Sequence, residues 1–149
     1  MKIKKSNNSG LSLLELTVSL LLFGIVIFSA VNITSFVLNR TMQVQINNEQ
    51  IFNANLAMNS IVIHIYESES FSLETWANGT LQRINFYPHN NTIDFRVNDN
   101  TLRFGNQILS RYIEDVIINI NGTLMHIFVI TEAITLTRTI DIRYNLYQG

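Results

Sequence analysis

The sequence predicts an α+β fold in which a long N-terminal helix, transmembrane in its first half and amphipathic in its second, packs on a small antiparallel β-sheet. Three observations carry this expectation. Leu16 to Asn39 contains no ionisable side chain, apolar residues then recur at helical spacing as far as Tyr66, and short alternating runs follow the Asn78-Gly79 turn. The chain has 149 residues, enough for one ordinary domain. Apolar residues make up 47% and charged residues only 14%, a deficit that points to lipid or to extensive assembly.

The formal net charge of −1 hides an asymmetry. Lys2, Lys4 and Lys5 all lie in the first ten residues, which hold no acid, so the tip is cationic and the remainder mildly acidic. This balance offers no support for a polybasic nucleic-acid binder. The absence of cysteine excludes disulfides, thiolate metal sites and cysteine nucleophiles, and is compatible with export of a domain that relies on packing alone.

The first element is the apolar segment. At ~1.5 Å per residue, Leu16–Asn39 as a helix spans roughly 36 Å, sufficient for a hydrocarbon core of ~30 Å with some tilt. A secretory signal peptide has a shorter apolar region and small residues at its cleavage site, whereas Phe28-Ser29-Ala30 places a bulky side chain there. A plain signal anchor fits the hydropathy. The lysines predict a cytoplasmic N-terminus and an exported C-terminal body. Glu15 is the informative residue: an ionised acid near a span centre costs roughly 2.5–3.5 kcal/mol, and less near an end. As a first-turn acid it gains ~0.3–1 kcal/mol from the helix dipole, which accounts for its tolerance but not for the ordered string around it.

That string is a basic leader, then Ser6-Asn7-Asn8-Ser9-Gly10, then Leu11-Ser12-Leu13-Leu14-Glu15-Leu16. It resembles the processing motif of type IV pilins and pseudopilins, a leader ending in glycine followed by a hydrophobic helix with glutamate at its fifth mature position. Gly24 matches a glycine common in those helices, while Leu11 stands where the family usually has phenylalanine. The resemblance implies a type IV pilin-like fold, cleavage after Gly10 by a prepilin peptidase, N-methylation of Leu11, and an ion pair between Glu15 and the N-terminal amine of a neighbouring subunit. It further implies other major and minor pseudopilins as partners and a single-pass location in the cell membrane, with display at the cell surface after assembly. The implied organisation is a cleaved leader (1–10), a transmembrane helix (11–39), its amphipathic continuation (40–67) and an extracellular antiparallel β head (71–149).

In the continuation, Val44, Ile51, Met58 and Ile65 recur every seven residues, with Ala54 and Ile61 between them and Asn47 interrupting. The other face carries Gln45, Glu49, Asn53 and Ser60 together with Phe52, Leu56 and Ile63, a mixed surface suited to neighbouring subunits. No proline or glycine interrupts Ile25 to Tyr66, so one helix from Leu11 to Tyr66, roughly 84 Å long, is expected. Glu67-Ser68-Glu69-Ser70 reads as a polar break.

Strands are then expected at Leu81–Tyr87, Thr92–Val97 and Thr101–Phe104, with Ile84, Phe86, Ile93, Phe95, Val97, Leu102 and Phe104 on one face. Gln107–Glu114 reads as an irregular crossover. Val116–Ile120, Leu124–Thr131 and Ile134–Leu146 read as three closing strands around the Asn121-Gly122 turn. This tail is loosely similar to the minor pseudopilins of the competence apparatus, which implies a role in DNA uptake; pseudopilins of type II secretion share the same plan.

No enzyme is expected. His64, His89 and His126 form no triad or zinc spacing, there is no phosphate-cradling glycine loop, and Asp94 and Asp99 flank a turn rather than a calcium loop, so neither cofactor nor metal is called for. Beyond residue 70, Arg83, Arg96, Arg103, Arg111, Arg138 and Arg143 face Glu74, Asp94, Asp99, Glu114, Asp115, Glu132 and Asp141. Arg96, Arg103, Arg138 and Arg143 lie in expected strands, where they could share a face, but this charge balance argues against direct DNA contact.

Overall fold

The computed structural model describes residues 13–143 and the backbone of 146–147. Helix α1 runs without a break from Leu13 to Glu67. Nine strands follow: β1 (Ser70–Thr75), β2 (Leu81–Tyr87), β3 (Asn91–Arg96), β4 (Thr101–Phe104), β5 (Gln107–Ser110), β6 (Asp115–Asn121), β7 (Leu124–Ile130), β8 (Thr135–Asp141) and β9 (Leu146–Tyr147). An apolar N-terminal helix with a small, mainly antiparallel β region makes the chain α+β. It divides into two compact units, Met1–Val44 and Gln45–Gly149.

The β region forms two sheets, where a single sheet was expected. One has six strands in the order β5-β4-β3-β2-β1-β9, and the other has three in the order β6-β7-β8. Every pairing is antiparallel except that of β1 with β9. An isolated antiparallel bridge between Thr80 and Ile117 ties the sheets together. The expected strand Ile134–Leu146 is two strands. β8 ends at Asp141, whose carboxylate accepts the backbone N–H of Arg143 at 3.0 Å, a local turn that competes with the ladder. The chain then supplies β9 to the other sheet.

β1 and β5 correct two further expectations. Ser70–Thr75 lies partly in the expected polar break, yet Ser70 and Phe71 are buried, Ser72 and Leu73 half-buried, and burial is lost only at Glu74 and Thr75. Gln107–Ser110, expected as irregular, pairs with β4 through a register shift between Leu102 and Arg103. Val97, expected on the inner face, follows the end of β3 and is 51% exposed.

The continuation of α1 buries Gln50, Ala54, Ala57, Met58, Ile61, Val62 and Ile65. The seven-residue stripe is therefore right at Met58, Ile61 and Ile65 but wrong at Val44 and Ile51, both exposed. At ~100° per residue both point the same way as the buried Met58 and Val62, so they fail by position along the helix and not by direction: apart from Gln50, every buried residue of α1 lies at or after Ala54. Ala54 to Ile65 join one buried cluster with Phe71, Leu81, Ile84, Ile93 and Leu102 of the larger sheet and Val116, Met125, Ile127 and Val129 of the smaller. Each fully buried aliphatic or aromatic side chain contributes about 1.5–3 kcal/mol, against ~0–1 for an exposed ion pair, so this burial holds the unit together.

Polar contacts set the helix position within that unit. The Ser110 hydroxyl donates to the Asn53 carbonyl at 2.7 Å, and the Arg111 N–H donates to Asn53 Oδ1 at 3.1 Å. Asn53 is thus no solvent-facing residue. Further along, Arg138 Nη1 donates to Asn59 Oδ1 at 3.0 Å. Ser110 is almost fully buried, and Ser110→Ala removes this hydrogen bond at a cost of about 0.5–1.5 kcal/mol. Urea denaturation should show a lower midpoint with an unchanged slope.

Candidate functional site

From Leu13 onward α1 is apolar and open. It is long and apolar enough to cross a membrane, and none of its most apolar stretch is buried within the chain. Leu21, Leu22, Phe23, Ile25, Val26 and Phe28 are each more than half exposed. The hydroxyls on this surface turn inward: Thr17 donates to Leu14 O at 2.9 Å, Ser29 to Ile25 O at 2.8 Å, Thr34 to Ala30 O at 2.9 Å and Thr41 to Val37 O at 2.9 Å. Backbone carbonyls of the preceding turn thereby satisfy donors that hydrocarbon cannot. Gly24 lies on this open surface, where a Cβ would meet nothing within 4 Å. Arg40, the first basic residue of the helix, stacks its guanidinium on Phe36 at 5.4 Å from the ring centre, as a side chain at a polar–apolar boundary does.

Glu15 lies in the first turn of α1 and is exposed. There the unsatisfied N–H groups and the helix dipole favour a carboxylate. Gly10 and Leu11, the expected cleavage and methylation positions, lie outside the described residues, as do Lys2, Lys4 and Lys5.

On the continuation, the face opposite the buried stripe carries Phe52 (67% exposed), Leu56 (39%) and Ile63 (51%). These three fall within about 40° of one another at 100° per residue. The mixed second face expected from the sequence is therefore present, with its apolar members open.

In the β region three of the six arginines are ion-paired. Arg83 pairs with Asp94 at 2.5 Å, Arg103 with Asp99 at 2.8 Å and Arg143 with Asp141 at 2.5 Å. Asp94 opposes Arg83 on one side and Arg103 on the other, so charges alternate across β2-β3-β4. The Thr101 hydroxyl, and after it the Arg103 guanidinium, hold the Asp99 carboxyl below the usual carboxylate range. Hydrogen bonds from Arg143 do the same for Asp141. Arg96 and Arg103 belong to the larger sheet, whereas Arg138 belongs to the smaller and Arg143 follows it, so these four do not share one sheet face.

Two of the histidines have local partners. His64 lies against Phe104 at 4.4 Å between ring centres, with Nδ1 2.7 Å from the Ser60 carbonyl, and His126 Nδ1 is 2.8 Å from the Thr139 hydroxyl. Among the described residues no three His, Asp or Glu side chains converge on a position suited to a metal ion.

Sequence patterns did not single out one feature of the β region. Trp76, the single tryptophan, is 51% exposed and borders two clefts near the Thr80–Ile117 bridge. A lone tryptophan two residues before an Asn-Gly turn was the available signal. No family model matches the chain, and no curated protein and no solved structure matches it.

Proposed function

We propose that the chain is a minor, pilin-like (pseudopilin) subunit of a filament that crosses the cell envelope, structural rather than enzymatic. The carrying observation is the ordered string Lys4-Lys5, Gly10, Glu15, with glutamate five residues after the glycine and at the start of a long, open, apolar helix. Prepilin peptidase cuts after Gly10, Leu11 is methylated, and the lysines keep the leader cytoplasmic while the β head is exported. The span first lies in lipid and then packs among other pseudopilins. The open Phe52, Leu56 and Ile63 face supports such packing, because exposed apolar residues clustered on one face mark an interaction surface.

Competence and DNA uptake are the proposed setting, with DNA handled by the assembly rather than by this head, in which seven acids balance six arginines and three of those arginines are ion-paired. A deletion strain should lose transformation and keep protein secretion; the reverse outcome assigns the subunit to type II secretion.

Processing has a direct readout. Mass spectrometry of the membrane and sheared-surface fractions should find a mature chain that begins at N-methylated Leu11. A mature pool that retains Met1 or Lys2 rejects the filament reading in favour of an uncleaved single-pass anchor carrying a small extracellular binding module.

A further inference from the structure

The cleft on one side of Trp76 has a volume of about 610 Å³ and is lined by Trp76, Ala77, Thr80, Val97, Glu114 and Asp115, among others. Its walls are built by three separate features. The β1–β2 turn closes with Gly79 N–H donating to the Trp76 carbonyl and Trp76 N–H donating to the Thr80 carbonyl, both at 2.9 Å. Asn78 Oδ1 accepts the Thr80 N–H at 3.1 Å, and Gly79 takes φ +86°, a conformation glycine adopts without steric cost. The Thr80–Ile117 bridge then sets this turn beside the start of β6, where Glu114 and Asp115 stand.

The electrostatics of the cleft are one-sided. Its lining includes two adjacent carboxylates and no basic side chain. Neither acid makes an ion pair among the described residues. Asp115 Oδ1 is shut off from solvent and has no hydrogen-bond partner, a condition in which a carboxylate loses hydration without recovering it from protein donors. The cleft on the other side of Trp76, about 390 Å³, contrasts with this: Arg83 and Arg96 there are set against Asp94 and Asp99. Trp76 thus presents a half-open aromatic surface to a cavity with an excess of acid, the combination that favours a cation with an apolar stem.

We infer that the Trp76–Glu114–Asp115 cleft binds a guanidinium or alkylammonium group, as carried by an arginine or lysine side chain. The ring packs on the stem and receives the cation, Glu114, the exposed acid, accepts its N–H donors, and Asp115 adds negative charge at the cleft wall. A phosphate or other anion is disfavoured in the same cavity. This inference stands on the cleft alone and does not depend on the filament reading.

Because the chain has one tryptophan, its fluorescence reports occupancy directly. The full chain in neutral detergent micelles is titrated with the peptide acetyl-Ala-Ala-Arg-Ala-Ala-amide, with its citrulline counterpart, and with acetyl-arginine amide. A saturable change with the arginine peptide, at least about tenfold weaker for the neutral citrulline peptide and for Glu114→Gln and Asp115→Asn, is the expected result. Equal affinity for acetyl-arginine amide assigns the site to small cations, and a preference for the peptide assigns it to a polypeptide side chain. No saturable change, or equal responses to arginine and citrulline, overturns the inference. Glu114 is exposed, so Glu114→Gln preserves the fold and decides the question even where Asp115→Asn does not fold.

Discussion

Glu15→Ala should yield a subunit that is still cleaved after Gly10 but no longer enters filaments. Cleavage, in the proposed processing, depends on the backbone at glycine and on the basic leader, neither of which the substitution touches. Assembly, in the proposed mechanism, sets the Glu15 carboxylate against the methylated N-terminal amine of a neighbour within an apolar helix bundle. Breaking a buried ion pair by removing one partner costs ~3–5 kcal/mol, because the remaining charge stays desolvated. At 1.4 kcal/mol per factor of ten, each contact weakens by roughly 10²- to 4 × 10³-fold, and the loss recurs at every subunit added. The measurement compares sheared surface protein with membrane-retained protein, while mass spectrometry of the membrane pool checks that Leu11 is the first residue. Normal filament yield from Glu15→Ala would remove the ion pair from the mechanism. Glu15→Asp keeps the charge on a shorter stem and should assemble in reduced amount.

The second large effect is in the β head. Phe71→Ala, at a fully buried position of β1, should destabilise it by about 3–5 kcal/mol, the range for removing a buried aromatic side chain. Domains of this size are stable by only ~5–15 kcal/mol, so about a fifth or more of the total is at stake. Thermal melting followed by circular dichroism should move down by roughly 12–40 °C, using ~4–8 °C per kcal/mol for small domains. Phe52→Ala is the matched control. The same chemical change at a 67% exposed position should alter stability by no more than ~0.5 kcal/mol, whatever it does to assembly. Equal shifts for the two variants would mean that burial does not govern the stability of this head.

Phe71 and Phe52 also illustrate what local sequence conveys. Phe52 was legible as part of a mixed helix face because helix periodicity acts over a few residues. Phe71 was not, because serine and glutamate around it resemble a break, and β1 becomes a strand only through pairing with β2 and β9. β5 is a similar case, a four-residue edge strand whose only partner is β4. In the candidate anchor, Glu15 and the apolar run could be read directly, since hydropathy and spacing are properties of consecutive residues. The Trp76 cleft could not, since Trp76 and Glu114 are remote in sequence and meet only through the Thr80–Ile117 bridge.

The sequence by itself determined the unbroken helix, the Asn-Gly turns, the strands Leu81–Tyr87 and Thr101–Phe104, and the processing string on which the proposed function rests. Each of these depends on backbone preferences or side-chain patterns within a few residues. Tertiary structure decided that the strands divide between two sheets, that the chain after Asp141 crosses from one to the other, that the helix buries Ala57 and Val62 in place of Val44 and Ile51, and that two acids gather beside the lone tryptophan. Those outcomes depend on which distant backbone groups hydrogen-bond to one another. A strand's own pattern states that one face must be buried, but not which partner will bury it.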